Sequence, residues 1–269
     1  MQESFSKKIK IFFIAFFSLS LIAPFFYLFL CFILHTHKLF VYTGVMNFQI
    51  LPSLLAADYG SLAHEIQRIE RAGADALHID IMDAHFVPNL SFGPDIVALA
   101  KRVCPTLSRN VHLMMTRPDL YIERFIDAGA DAVQIHVEAD CDCWSVLERI
   151  RRRGVRSGLV SRPQTPVTDL YPYVALCDEI LFMTVNPGYG GQAFMPDVLP
   201  KISALRAYAH AHGQALDIMV DGGINFETAV TCAQHGANQF VVGSFMFKQD
   251  DMGQTVLAMR TTCSAAGRY

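Results

Sequence analysis

Four polar residues stand at the ends of otherwise apolar runs, where burying them unpaired would be costly. Within Leu77–Asp83, His78, Asp80 and Met82 alternate, so in an extended strand all three side chains share one face. His112 and Met114 repeat the pattern in Val111-His112-Leu113-Met114, and Asp221 closes the run Val220-Asp221-Gly222-Gly223. Two imidazoles and two carboxylates make a plausible first shell for Zn2+, Fe2+ or Mn2+. Any one of them alone is more often a hydrogen-bonded core group than a ligand. A second constellation is rich in glycine: Asn186-Pro187-Gly188-Tyr189-Gly190-Gly191-Gln192, Asp221-Gly222-Gly223-Ile224-Asn225 and Gly243-Ser244. Backbone N–H groups freed of Cβ bulk form an anion cradle, and the expected ligand is a phosphate. Tight turns alone would use the same residues.

The elements that must position these groups follow from periodicity. Short apolar runs at Gln49–Leu54, Ala76–Met82, Asn110–Met114, Ala132–Val137, Val155–Val160, Glu179–Thr184, Leu216–Val220 and Gln239–Val242 are expected as strands. Helical patterns such as Leu62–Ala72 lie between them. Three junctions share a phrase, Ala72-Gly73-Ala74-Asp75, Ala128-Gly129-Ala130-Asp131 and His235-Gly236-Ala237-Asn238, in which the glycine suits the left-handed residue that closes a helix. Gly73 and Gly129 are 56 residues apart and Gly129 and Gly236 are 107 apart, two and four units of about 27 residues. Eight such units give an α/β fold, a (β/α)8 TIM barrel, whose functional residues belong at the C-terminal ends of the strands. An open doubly wound sheet is the alternative, but no Gly-x-Gly-x-x-Gly turn follows the first strand.

Those units fill residues 46–269, the expected catalytic domain. Residues 1–45 read differently: they hold 10 of the 20 Phe, and Ile11–Leu34 is a run of 24 residues without a charge. Such a run is long enough to cross a bilayer, with Lys7, Lys8 and Lys10 favouring a cytoplasmic N-terminus. It fits a cleaved signal peptide badly, because His35-Thr36-His37-Lys38 follows in place of a small-residue cleavage site. The segment is therefore either a membrane anchor or an upstream extension of a chain that starts at Met46; a membrane is a partner only in the first case. From Met46 onward there are 18 basic and 24 acidic residues, a balance of −6, which argues against nucleic acid as a partner. Cys141 and Cys143 are close, but no second pair stands at a zinc-site spacing, and a reducing, cytoplasmic location is expected.

From Met46 to about Met259 the chain resembles the ribulose-phosphate 3-epimerase family. The phrases that carry the resemblance are Pro52-Ser53-Leu54-Leu55-Ala56-Ala57-Asp58, His78-Ile79-Asp80-Ile81-Met82-Asp83, His85-Phe86-Val87-Pro88-Asn89, Val111-His112-Leu113-Met114, the run from Met183 to Gln192, and Val220-Asp221-Gly222-Gly223-Ile224. It implies an isomerase of the pentose phosphate pathway that inverts C3 of D-ribulose 5-phosphate to give D-xylulose 5-phosphate. It also implies that His78, Asp80, His112 and Asp221 hold one divalent metal and that Asp80 and Asp221 are the acid–base pair. Ser53 and His112 would touch the sugar, and Gly188, Tyr189, Gly190, Gly191, Gly222, Gly223, Gly243 and Ser244 the phosphate end. Met82, Met114 and Met183 would wall a planar intermediate. The resemblance further implies a small phosphorylated ketose as substrate, no organic cofactor and a homo-oligomer. A hexulose-phosphate epimerase of the allulose 6-phosphate type, or a non-catalytic sugar-phosphate-binding barrel, are the alternatives; the intact pair Asp80 and Asp221 speaks against the second.

Two positions depart from the family pattern. Ala84 stands where a glycine is usual, and would cost about 1 kcal/mol if that position needs positive φ. Ser161-Arg162-Pro163-Gln164-Thr165-Pro166 replaces an Asn-Pro-x-Thr-Pro phrase, leaving open whether Arg162 faces the site or solvent. His85 is expected to pack in its loop, and His136 to be hydrogen-bonded structure and not a fifth ligand.

Overall fold

The computed structural model describes residues 47–267. The readings made of residues 1–45 lie outside the described residues. Among the described residues no helix is long and apolar enough to cross a membrane.

Eight parallel strands form the sheet: β1 (Gln49–Pro52), β2 (Ala76–Met82), β3 (Ser108–Met114), β4 (Ala132–His136), β5 (Arg156–Ser161), β6 (Glu179–Met183), β7 (Asp217–Asp221) and β8 (Gln239–Val242). They run in the order β1-β8-β7-β6-β5-β4-β3-β2. A parallel bridge between Ser53 and His78 links the two ends of that order, so the sheet curls into the expected barrel. The intervening helices are α1 (Leu62–Arg71), α2 (Pro94–Val103), α3 (Ile122–Ala128), α4 (Cys143–Arg152), α5 (Leu199–Ala211), α6 (Phe226–Gln234), the four-residue α7 (Ser244–Phe247) and α8 (Met252–Ala266). The fifth unit departs from the repeat: β5 is followed by 3-10 turns at Val167–Asp169 and Tyr171–Leu176. Pro163, Pro166 and Pro172 withhold the N–H groups that an α-helix would use there.

The alternation within β2 shows how the fold sorts its residues. Leu77, Ile79 and Ile81 point outward into the apolar layer shared with the helices, together with Ile66 and Ile69 of α1. His78, Asp80 and Met82 take the opposite face, inside the barrel. A separate apolar cluster containing Leu51, Val160, Leu181, Met219 and Val241 packs the interior. Gly73, Gly129 and Gly236 all have positive φ (71°, 110° and 109°), as the helix-closing phrase requires.

Among the described residues no cysteine belongs to the candidate metal group; the six described are free, and Cys143 opens α4 beneath the Asp142 cap.

Candidate active site at the C-terminal rim

Strand register sets the site. Asp80 pairs with His112 and Met82 with Met114 across β2 and β3, while Met183 pairs with Asp221 across β6 and β7. Consequently His78, Asp80, His112 and Asp221 offer ligand atoms that all lie within 4.8 Å of one another. His78 and His112 are fully buried and Asp80 is 2% exposed. One Asp80 oxygen, Oδ2, accepts from the Ser53 hydroxyl at 2.7 Å. The other, Oδ1, sits 3.1 Å from His112 Nδ1 and 3.3 Å from His78 Nε2.

The outer partners of both rings decide what those nitrogens can do. His78 Nδ1 lies 2.9 Å from Asn110 Oδ1, and Asn110 Nδ2 donates to Glu179 at 2.5 Å. That polarity puts the hydrogen of His78 on Nδ1 and leaves Nε2 bare. The bare atom is buried without a hydrogen-bond partner. His78 Nε2, His112 Nδ1 and Asp80 Oδ1 therefore converge on one point, where the ring nitrogens can coordinate an ion once any hydrogen shared with Asp80 is displaced. A divalent cation fits this donor set, with the ring hydrogen-bonded on its far side as metal-bound histidines are.

The two carboxylates are held on opposite terms. Burial raises both, but His78 and His112 beside Asp80 outweigh it and hold that carboxyl well below the usual range. Asp221 is pushed up to about 7, first by burial and then by the negative charge of Asp80, with His78 opposing. At neutral pH one group is an ionised base and the other retains a proton for part of the time, the arrangement that acid–base chemistry uses. Burial pulls His112 down to about 4, so its ring is neutral. His78 moves the other way: burial lowers it, but Asp80 and Asp221 raise it further.

Above this cluster opens a cavity of about 630 Å³ lined by Ser53, Asp80, Met82, Met114, Met183, Gly188, Tyr189, Gly190, Gly191, Asp221, Gly222, Gly223, Gly243 and Ser244. All the residues that the sequence assigns to the site therefore line it except His78 and His112, which belong to the buried cluster below. Phe194, Thr228, Phe245 and Lys248, which no sequence motif marks as site residues, also line it, as does Asn225 at the end of the second glycine-rich phrase. Asn225 and Thr228 carried a legible signal, since they form the capping box of α6 and thereby anchor the Gly222-Gly223 turn. Lys248 follows α7 with no pattern to mark it.

The glycine loops have definite shapes. Gly222 has φ 119°, and a Cβ there would lie 2.4 Å from Val185. Gly223 has φ 65°, and its Cβ would fall 2.7 Å from the Phe194 nitrogen. The loop after β6 is tied across the mouth to the loop after β2: Tyr189 donates its hydroxyl hydrogen to the Pro88 carbonyl at 2.6 Å, and the Asn89 amide to that of Gly188 at 2.7 Å.

Both departures from the family pattern now have a place. Ala84 has φ 60° and is exposed, so the strain is local. Arg162 faces neither the cavity nor open solvent: its guanidinium lies 4.2 Å over the Phe86 ring and donates to the Phe86 carbonyl at 3.0 Å. His85 turns its ring to the Asp83 carbonyl at 2.7 Å and does not line the cavity. His136 is fully buried and outside the four-residue cluster, but its Nε2 lies 2.9 Å from Nε2 of the ligand candidate His112.

Residues 49–247 match the family model described as the ribulose-phosphate 3 epimerase family. A ribulose-phosphate 3-epimerase of Bacillus subtilis (strain 168) is 43% identical over 213 residues, covering 79% of this chain and 98% of that protein. The cytoplasmic isoform from Oryza sativa subsp. japonica is 42% identical over 217 residues, covering 79% and 92%. Among solved structures, 3-hexulose-6-phosphate synthase from Salmonella typhimurium is similar with a TM-score of 0.61 at 15% identity, covering 81% of this chain and 99% of that one. The 3-keto-L-gulonate-6-phosphate decarboxylase from Vibrio cholerae is similar with a TM-score of 0.61 at 14% identity, covering 81% and 98%. At such low identity these two likenesses bear on the barrel alone. A TIM barrel with a candidate metal cluster at its C-terminal rim, matched in sequence over most of its length by epimerases, places the chain in a class of isomerases: it belongs to the ribulose-phosphate 3-epimerase family.

Proposed function

We propose that the chain inverts C3 of a ketose phosphate, interconverting D-ribulose 5-phosphate and D-xylulose 5-phosphate. The observation that carries the reading is the pairing of Asp80 and Asp221 in one cavity with their proton affinities driven apart. The hydrogen on C3 is acidified by the neighbouring C2 carbonyl. Removing it from one face and returning a proton to the other is awkward for a single base, and two carboxylates solve the problem directly. The ionised one takes the C3 proton, the protonated one delivers its own to the opposite face, and their roles exchange for the reverse reaction.

Other residues orient the substrate. Ser53, hydrogen-bonded to Asp80, fixes that carboxylate and lies where a sugar hydroxyl is within reach. Met82, Met114 and Met183 offer polarisable walls that neither give nor take protons, which protects a planar enediolate from stray protonation. The loops carrying Gly188 to Gly191, Gly222 and Gly223, with Gly243 and Ser244 at the start of α7, present backbone N–H groups to the phosphate. Loops after strands 7 and 8 with a short extra helix are the usual phosphate site of this barrel. Pinning that end holds a flexible chain with C3 over the carboxylates.

His78, Asp80, His112 and Asp221 would hold one divalent ion, Zn2+, Fe2+ or Mn2+. Bound there, the ion supplies Lewis-acid stabilisation of negative charge developing on the substrate oxygens. No organic cofactor is required by this chemistry.

The direct test is to assay the purified protein on D-ribulose 5-phosphate and on a six-carbon 2-ketose 6-phosphate. A higher kcat/KM for the pentulose supports the reading; preference for the hexulose contradicts it, and no turnover of either would favour a binding protein.

A further inference from the structure

His136 and Glu138 lie outside the four-residue cluster, yet they form a continuous chain that ends on it. The rings of His112 and His136 stack with centroids 5.1 Å apart, and their Nε2 atoms are separated by 2.9 Å. On its far side, His136 Nδ1 lies 3.0 Å from Glu138 Oε2. Glu138 Oε1 accepts from the Arg162 backbone N–H at 2.8 Å and from the Thr165 hydroxyl. Phe86 covers the His136 ring at 4.6 Å. We propose that Glu138 and His136 are positioning residues that select the hydrogen placement in which His112 can bind a metal ion; this rests on the metal-site reading above.

The argument is one of hydrogen-bond polarity. An ionised carboxylate only accepts, so Glu138 requires the hydrogen of His136 to sit on Nδ1. In a neutral ring that leaves His136 Nε2 as an acceptor. Two imidazole nitrogens at 2.9 Å need one hydrogen between them, and it must therefore come from His112 Nε2. His112 Nδ1 is then bare, as coordination requires; Asp80 Oδ1, 3.1 Å away, can only accept and with no ion bound favours a hydrogen on that same atom, so the two ends of the chain compete for its polarity. The chain Glu138–His136–His112 thus does for one ring what Glu179–Asn110–His78 does for the other. Each candidate histidine is oriented from behind by a link that ends on a glutamate. The backbone N–H of Arg162 makes the arrangement directional. Because this group can only donate, the atom of residue 138 that faces it must always be an acceptor.

Glu138→Gln exploits that constraint with almost no change in shape. The glutamine carbonyl must face the Arg162 N–H, so its NH2 faces His136 Nδ1. The hydrogen of His136 then moves to Nε2, His112 Nε2 becomes the acceptor, and His112 Nδ1 acquires the hydrogen that blocks coordination. Co2+ titration of the metal-freed protein, read by its visible absorption and by competition with a chelator, is expected to show affinity 10- to 100-fold weaker than wild type. The double variant Glu138→Gln/His136→Gln is expected to recover most of that loss, since an amide at 136 is free to turn its carbonyl toward His112. A double variant as weak as the single one would assign the loss to general structure and overturn the proposal, as would wild-type affinity in Glu138→Gln.

Nitrogen-15 shifts of the histidine rings in Zn2+-loaded wild-type protein provide a reading that needs no variant. The hydrogen of His136 is expected on Nδ1; finding it on Nε2 would overturn the proposal. Failure of wild-type protein to bind Co2+ at all would instead refute the metal-site reading itself.

Discussion

Asp80 and Asp221 meet in one cluster from strands on different sides of the β1 seam, and the charge of the first raises the proton affinity of the second. Neither residue has this property alone. Asp80 is held ionised by two imidazoles, and Asp221, buried beside that charge, stays protonated to about pH 7. A divalent ion between them would relieve the repulsion, which links metal binding to stability as well as to chemistry.

Metal removal should therefore be visible without any substrate. Chelator-treated protein is expected to lose activity and melt at a lower temperature, with both restored by one equivalent of a divalent ion. At a free metal concentration 100 times Kd the stabilisation should be about 2.7 kcal/mol. Differential scanning calorimetry with and without Zn2+ checks it; an unchanged Tm would contradict the site.

Ala84→Gly should stabilise the protein. Ala84 sits at φ 60° in an exposed turn, where glycine carries no Cβ penalty. The expected gain is about 1 kcal/mol in urea unfolding, with kcat/KM unchanged. A loss of stability would mean that the turn tolerates Ala84 for a reason other than local strain.

Gly222→Ala should do the opposite. Its Cβ would lie 2.4 Å from Val185 at a φ of 119°, so the loop must move. Destabilisation of roughly 1–3 kcal/mol and a KM raised at least several-fold are expected. Adding Val185→Ala removes the clash and should recover part of the stability but not the part owed to φ.

Glu138 gives a pH signature. Burial raises its pKa, but hydrogen bonds from His136, Thr165 and the Arg162 N–H bring it down to about 2 from 4.5. A carboxylate with a depressed folded pKa contributes stability that is fully present above the unfolded pKa and is lost as pH falls toward the folded one. The stability gap between wild type and Glu138→Gln should therefore be on the order of 2–3 kcal/mol at pH 6 and shrink steadily below pH 4.5. Urea titrations at a series of pH values measure it; a gap independent of pH would show that the charge is not what matters.

Which parts of this arrangement can be read from the chain alone follows from the range of the forces involved. The two-residue alternation in Leu77–Asp83 is local, and it places His78, Asp80 and Met82 on the inner face just as the structure has them. The helix-closing glycines were equally legible, since positive φ at Gly73, Gly129 and Gly236 is a local demand. The fifth unit was harder: its prolines were visible, but the even repeat suggested a helix where the structure has 3-10 turns. Glu138 is not legible in the chain because its importance depends on the loop after β5, which brings the Arg162 N–H and Thr165 to it. His136 was legible as buried structure, but its contact with His112 depends on the neighbouring positions of β3 and β4 in the barrel. Phe194 and Lys248 reach the cavity from loops whose paths no periodicity specifies.

The central claim, proton exchange at C3 by two carboxylates, is tested most directly by incubation with D-ribulose 5-phosphate in D2O. The wild-type protein should place one solvent deuterium at C3 of the xylulose product. Asp80→Asn and Asp221→Asn should each slow that incorporation by roughly 100- to 10,000-fold while the folded barrel is retained by circular dichroism. Incorporation at the wild-type rate in either variant would contradict the two-carboxylate mechanism.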